Sequence, residues 1–322
     1  MGIYTDFMGE IMQSTWTKSL SELIRQTSAD LPRDVETALR KARRREKPSS
    51  SARWALDTIL ANIRLARVRG APLCQDTGTL LFYCQVPFRF DTRRLTAAIR
   101  AAVRQATGQG SLRPNTIDPL TGCSCAHNLG AGAPVIHIEF AVRRTVAVRL
   151  IMKGGGSENV SVQFSLPDAR LKAARDLAGV RRCILSAVAQ AQGNGCAPGV
   201  LGVCIGGDRA TGAEYAKRQF LRPLNDHAPE ACLATLERQV LADAQKLGIG
   251  PMGFGGATTL LGVKIGALAR LPACYFVSVA YMCWAFRRRG VVLNAAGRAV
   301  RQLYDGSMWS VERGASSVHR KS

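Results

Sequence analysis

The sequence predicts an α+β fold, a mixed α/β domain with helices packed on mixed sheets. Three observations carry that expectation. Segments with helical apolar spacing alternate with short β-branched runs, too irregularly for a repeated βαβ unit. Apolar residues make up 47% of the 322 residues and charged residues 21%, an ordinary globular balance. That balance excludes a disordered tail protein, a collagen-like repeat and an acidic solvating domain. No internal repeat or low-complexity linker divides the chain, which is long enough for one large domain or two.

Taken in order, residues 15–47 read as helical, with Leu20, Leu23, Ile24, Leu31 and Val35 as apolar positions. Residues 52–69 form a better amphipathic helix, stopped by Gly70-Ala71-Pro72. The run at 80–86 reads as a strand, 92–105 as a helix and 108–134 as a long polar loop. Two β-branched strands follow at 135–142 and 146–151. A helix over 170–192 ends at Gly193-Asn194-Gly195, and a short strand at 201–205 precedes Gly206-Gly207. Helices at 211–221 and 229–247 lead to strands at 258–265 and 274–280. The expected organisation is a basic helical segment at 1–50, a main domain at 51–300 and a polar tail at 301–322.

The formal charge of +21 favours anionic partners. The arginine-rich run at 40–45 reads as a solvated helix face, and Arg287-Arg288-Arg289 forms a second cluster. Aromatic interleaving is nearly absent, and no zinc finger, basic zipper or RNA-binding sheet signature is present. Nucleic acid is therefore not the expected partner. The longest apolar runs, such as 275–281, fall far short of the ~18 residues a membrane span needs. With no basic n-region at the start, the expectation is a cytoplasmic protein that does not engage a membrane.

Four loops carry candidate chemistry: Cys74 to Gly78, Lys153 to Asn159, Gly195 to Gly199 and Gly248 to Gly253. The last formally fits G-x-G-x-x-G, but it follows a long helix and no acidic residue lies between 254 and 304. Gly248 is more simply a helix C-cap than part of a dinucleotide site. The glycine triplet after Lys153 reads either as a tight turn or as backbone N–H groups able to bind a carboxylate. Of ten cysteines, most fit small buried apolar positions, whereas Cys74, Cys196 and Cys283 sit in turns or at strand ends. Their coincidence is one reading. A joint site is the other, in which three thiolates and an open position would suit a cluster with a Lewis-acidic iron. Four thiolates would suit electron transfer instead.

Together these loops resemble the α subunit, or N-terminal part, of the class I fumarase and L(+)-tartrate dehydratase family. The likeness runs from about Ala52 to Leu293 and rests on an ordered set. It includes Leu112-Arg113-Pro114-Asn115, Gly206-Gly207-Asp208, the segment 247–256 and Cys283-Trp284-Ala285. The resemblance implies an oxygen-sensitive [4Fe–4S] cluster on Cys74, Cys196 and Cys283, with Cys274 left out. It implies a fourth iron that binds the substrate hydroxyl and one carboxylate while a base removes the neighbouring C–H proton. By the same resemblance Gln75, Asp76 and Arg113 bind a small dicarboxylate, and Lys153, Gly155 and Gly156 close round it. Asp76 is the implied acid/base, although read alone it is equally a turn-stabilising residue.

Two departures stand out. The family commonly has a histidine where this chain has Leu271, and a Cys-Pro-Pro loop where this chain has Cys196-Ala197-Pro198. Leucine can neither titrate nor donate a hydrogen bond. The implied reaction is hydration of fumarate to (S)-malate. The alternatives are dehydration of L(+)-tartrate to oxaloacetate, and a non-catalytic basic scaffold or nucleic-acid binder on the same fold. Single-chain family members continue into a second domain, so a separate β subunit in an α2β2 assembly is the expected partner. The charge of Arg287 to Arg289 is expected near the cluster and at the subunit seam.

Overall fold

The computed structural model describes residues 2–304, with side chains from Thr15 onward. The expected polar tail beyond residue 304 lies outside the described residues. The first two helices are α1 (Gly2–Ala29) and α2 (Arg33–Arg45), so the helical stretch expected over 15–47 is broken. Pro32 breaks it, because a proline holds its predecessor out of the helical region and cannot donate to the preceding turn. Next comes α3 (Ser51–Arg69), capped by the Ser50 hydroxyl and closed by Gly70 in the left-handed conformation.

The remaining elements are β1 (Thr79–Pro87), α4 (Thr92–Gly108), β2 (Val135–Ala141), β3 (Val146–Lys153) and α5 (Gly155–Asn159). They continue through β4 (Val162–Ser165), α6 (Leu177–Ala191), β5 (Gly199–Gly206), α7 (Arg209–Arg218) and α8 (Ala231–Lys246). The chain then forms β6 (Leu260–Leu268), β7 (Phe276–Met282), β8 (Arg287–Leu293) and β9 (Ala299–Leu303). Helix α6 begins at Leu177 rather than 170, because Asp176 caps it by accepting from Gly179 N–H at 2.6 Å.

Two mixed sheets result, ordered β2-β1-β3-β8-β9 and β4-β7-β5-β6. In each, one parallel pair (β1 with β2, β5 with β6) sits beside antiparallel pairs. One core lies between the five-stranded sheet and helices α1 and α4, where Trp16, Leu20, Phe82, Ile99 and Val148 meet. A second lies between the four-stranded sheet and helices α6 and α8. The third joins Leu81, Tyr83 and Ile151 of the first sheet to Val200, Cys204 and Met282 of the second, with α2 and α3 alongside. Each fully buried leucine or isoleucine contributes ~1.5–3 kcal/mol relative to exposure, so both sheets are held as one layered body.

Register then fixes which loops meet. Thr79 pairs with Lys153, setting the loop that enters β1 beside the loop that leaves β3. Val200 pairs with Met282, setting the entry to β5 beside the exit from β7. Met152 pairs with Arg287, bringing the start of β8 to the same end. Among the described residues, no helix is long and apolar enough to cross a membrane.

Candidate active site

The Cys74 loop is pinned from two sides. Thr77, 1% exposed, accepts from Arg113 N–H at 3.3 Å and from the Asn115 amide at 3.2 Å. Asn128, also buried, accepts from the N–H groups of Asn115 and Thr116 and donates to the Arg113 carbonyl at 2.8 Å. These bonds fix the backbone of the 112–116 segment, while the Arg113 guanidinium and the Gln75 amide stay exposed. Among the described residues neither of those two side chains is engaged by a hydrogen bond.

Asp76 ties this loop to the glycine triplet. One carboxylate oxygen accepts from Gly78 N–H at 2.9 Å and the other from Gly155 N–H at 2.6 Å. A Cβ on Gly154 would stand 2.9 Å from the second oxygen, so the approach requires glycine there. Gly155 and Gly156 are exposed, whereas Lys153 is only 1% exposed and turns inward. Its ammonium lies 2.7 Å from Glu158, which also pairs with Lys217. Burial pushes the Lys153 ammonium down and the Glu158 carboxylate opposes it. The structure thus brings Gln75, Asp76, Arg113, Gly155 and Gly156 to one edge, and sets Lys153 behind them.

Cys196 and Cys283 meet on the other side. Cys196 follows α6 in the left-handed region (φ 54°), a conformation that costs a non-glycine residue energy and recurs at functional sites. Its carbonyl accepts from Trp284 N–H at 3.1 Å, joining the two cysteine loops directly. Gly195 and Gly199 lie flat against the Tyr281 ring, where a Cβ on either would collide with it. Met252 N–H donates to the Ala197 carbonyl at 2.8 Å, so the segment after α8 buttresses the loop rather than binding a nucleotide. Gly248 follows the end of α8 with φ 65°, as a C-terminal glycine should.

The three thiols are electrostatic neighbours. Burial pushes Cys283 up to about 11; Arg287 pulls it down, and Cys196 and Cys74 push it up. Burial raises Cys196 as well, followed by the charges of Cys74 and Asp76. All three are unbonded and half-buried, whereas Cys84, Cys183 and Cys204 are core residues and Cys123 and Cys232 are exposed. Cys125 lies elsewhere, against Gly130. No group of three or more His, Cys, Asp or Glu among the described residues is arranged to hold a single metal ion. A cleft of about 380 Å³ meets this edge at Asp76, Thr77, Asn115 and Gly155, and none of the three cysteines lines it.

One expectation is corrected. Arg287 and Arg288 are 1% and 0% exposed inside β8, and Arg289 pairs with Asp30. The charge of Arg287 and Arg288 therefore lies inside the fold rather than on a surface at a subunit seam. Leu271 is 71% exposed on the turn between β6 and β7. Thr77, Asn128, Glu158 and Tyr281 were not singled out from the sequence; all of them make contacts with residues of other loops or elements, Glu158 with Lys217 as well as with nearby Lys153.

The family model described as fumarate hydratase (fumerase) matches residues 17–292. A Geobacillus stearothermophilus protein provisionally named a fumarate hydratase class I is 48% identical over 291 residues, 89% of this chain and 57% of that protein. The chain thus spans little more than half of that relative. A Methanocaldococcus jannaschii protein provisionally named an L(+)-tartrate dehydratase subunit alpha is 33% identical, over 83% of this chain and 93% of its own. The L(+)-tartrate dehydratase subunit alpha of Escherichia coli K12 is 28% identical, over 87% and 91%. The matched span contains all four loops, and the chain belongs to the fumarate hydratase (fumerase) family.

Proposed function

We propose that this chain is the iron–sulfur-bearing α part of a hydro-lyase that hydrates fumarate reversibly to (S)-malate. The observation that carries the reading is that the Trp284 N–H on the Cys196 carbonyl and Arg287 on the Asp76 carbonyl gather the loops of Cys74, Cys196 and Cys283, three free thiols. Their chemistry fits a [4Fe–4S] group: soft sulfur donors, no fourth cysteine of the site, and buried cations at Lys153 and Arg287 beside Cys283. A multi-iron cluster spreads its ligands farther than one ion does, which suits a trio that does not close on a single metal. When bound, the cluster supplies a Lewis-acidic iron for the substrate's hydroxyl and carboxylate.

The protein's own groups do the rest. Arg113 and Gln75, exposed and unengaged, offer a guanidinium and an amide to a carboxylate. Asp76 holds the glycine triplet against the cysteine loops, so that Gly155 and Gly156 face the same edge. A proton donor or acceptor is needed there, and Asp76 is the carboxylate in reach. The relatives named subunit alpha support a β subunit as partner, in an α2β2 assembly. The 48% identity to a fumarase-named protein favours fumarate. The second reading is L(+)-tartrate, favoured by two relatives that the chain covers almost end to end.

Anaerobic reconstitution of the chain with its β partner, followed by iron quantitation and assays on fumarate and L(+)-tartrate, tests the proposal. Iron uptake with fumarate hydration is expected, and Cys74→Ala, Cys196→Ala or Cys283→Ala should each reduce it to background. Iron uptake unaffected by all three substitutions would sink the site. Faster turnover of tartrate than of fumarate would select the second reading.

A further inference from the structure

We propose that Arg287 is a positioning residue for that iron–sulfur group. One nitrogen of its guanidinium anchors the Asp76 loop, and the other two donate hydrogen bonds to the sulfur anion held by the three cysteines. The inference rests on the reading that Cys74, Cys196 and Cys283 hold a cluster.

Arg287 is 1% exposed, and its Nη2 donates to the Asp76 carbonyl at 2.8 Å. Its Nε and Nη1 are buried and have no partner among the described residues. Arg288 shares the two bare nitrogens, Nε and Nη1, but its charge and that of Arg289 are compensated. Arg288 pairs with Asp34 and lies over the rings of Phe286 and Tyr304, and Arg289 pairs with Asp30. Arg287 alone of the three has no carboxylate. Leaving a buried donor unmade costs ~1–3 kcal/mol, and more for a charged group. A buried charge left without a counter-charge is strongly destabilising.

The surroundings identify that anion. Cys283 lies four residues before Arg287, and the Asp76 carbonyl that Arg287 holds lies two residues after Cys74. The guanidinium thus bridges the loops of two cysteines. At 1% exposure it is closed off from solvent, whereas the substrate groups offered by Gln75 and Arg113 are exposed. Thiolate and sulfide acceptors of a cluster on the three cysteines would suit those donors. N–H donors and a fixed positive charge at such sulfurs stabilise the reduced, more negative state, and so raise the reduction potential.

The test uses the assembled, anaerobically reconstituted protein as wild type, Arg287→Lys and Arg287→Met. Iron and acid-labile sulfide per chain are measured, with a redox titration followed by electron paramagnetic resonance. The expected result is equal iron content with a more negative midpoint potential in Arg287→Met, and Arg287→Lys between it and wild type. Loaded Arg287→Met at the wild-type potential would overturn the proposal. If Arg287→Met fails to fold or load, Arg287→Lys decides: a negative shift supports the role and an unchanged potential refutes it. Wild type that takes up no iron refutes the cluster reading itself, which is a different outcome.

Discussion

Asp76 is a half-buried carboxylate of a few atoms, yet it sets the spacing between two loops that are 79 residues apart. Both of its oxygens accept from backbone N–H groups, and its own carbonyl receives Arg287. The contact works only because Gly154 has no side chain. In Gly154→Ala the new methyl would press on the carboxylate at 2.9 Å, and either the loop or Asp76 must move. Overpacking of this kind costs ~1–3 kcal/mol. A displacement of ~1 Å at a reacting group lowers turnover ~100-fold. Gly154→Ala is therefore expected to retain cysteine-bound iron while losing one to two orders of magnitude in kcat/KM, in the reconstituted assembly. Wild-type kcat/KM in that variant would show that the Asp76 contact does not position the site.

At the scale of elements, strand ends bring chemistry together. The strands rich in apolar and β-branched residues (β1, β2, β3, β5, β6 and β7) were legible from sequence, as were the helices α3, α4, α7 and α8. Strand β8 was not, because its three leading arginines break the apolar pattern, and their burial depends on Asp30, Asp34 and the Asp76 backbone far away. The glycine triplet reads as a turn, so the short helix α5 and the four-residue β4 were hidden behind it. The cysteine and glycine loops announce themselves by residue type, but Thr77 and Asn128 look like any loop polar residues. At the junction of β3 and α5, burial pushes the Glu158 carboxylate up, but Lys153 and Lys217 outweigh it and hold the group below its ordinary range. A depressed carboxylate contributes stability above its unfolded value, ~4.3, and loses it as pH falls through its folded value. Glu158→Gln should therefore melt lower than wild type at pH 7, with the gap closing below about pH 4. Parallel melting curves at every pH would show that the pair adds nothing.

Over the whole molecule the charge balance becomes the governing quantity. Even if every acidic residue were paired, the surplus of 21 cations would remain without an acidic partner. The cations are spread unevenly. Arg287, Arg288 and Lys153 are buried, whereas α2 and α3 present Arg40, Arg43, Arg44 and Arg64 around one groove with Asp57 as the acid among them. Such a surface repels itself and draws anions from a distance. Exposed ion pairs such as Arg25 with Glu22 contribute only ~0–1 kcal/mol each, and salt weakens them too. The unpaired surplus should still dominate, because at ~0.1 M salt the screening length is only ~10 Å and cancels repulsion across the face. Raising sodium chloride from ~20 to ~300 mM should then raise the melting temperature by roughly 2 °C or more, equivalent to about 1 kcal/mol. A dianionic substrate should show the opposite trend, with kcat/KM falling over the same range as steering is screened. A melting temperature that falls with salt would mean that ion pairs outweigh the surplus, and the charge would have to be explained by local pairing.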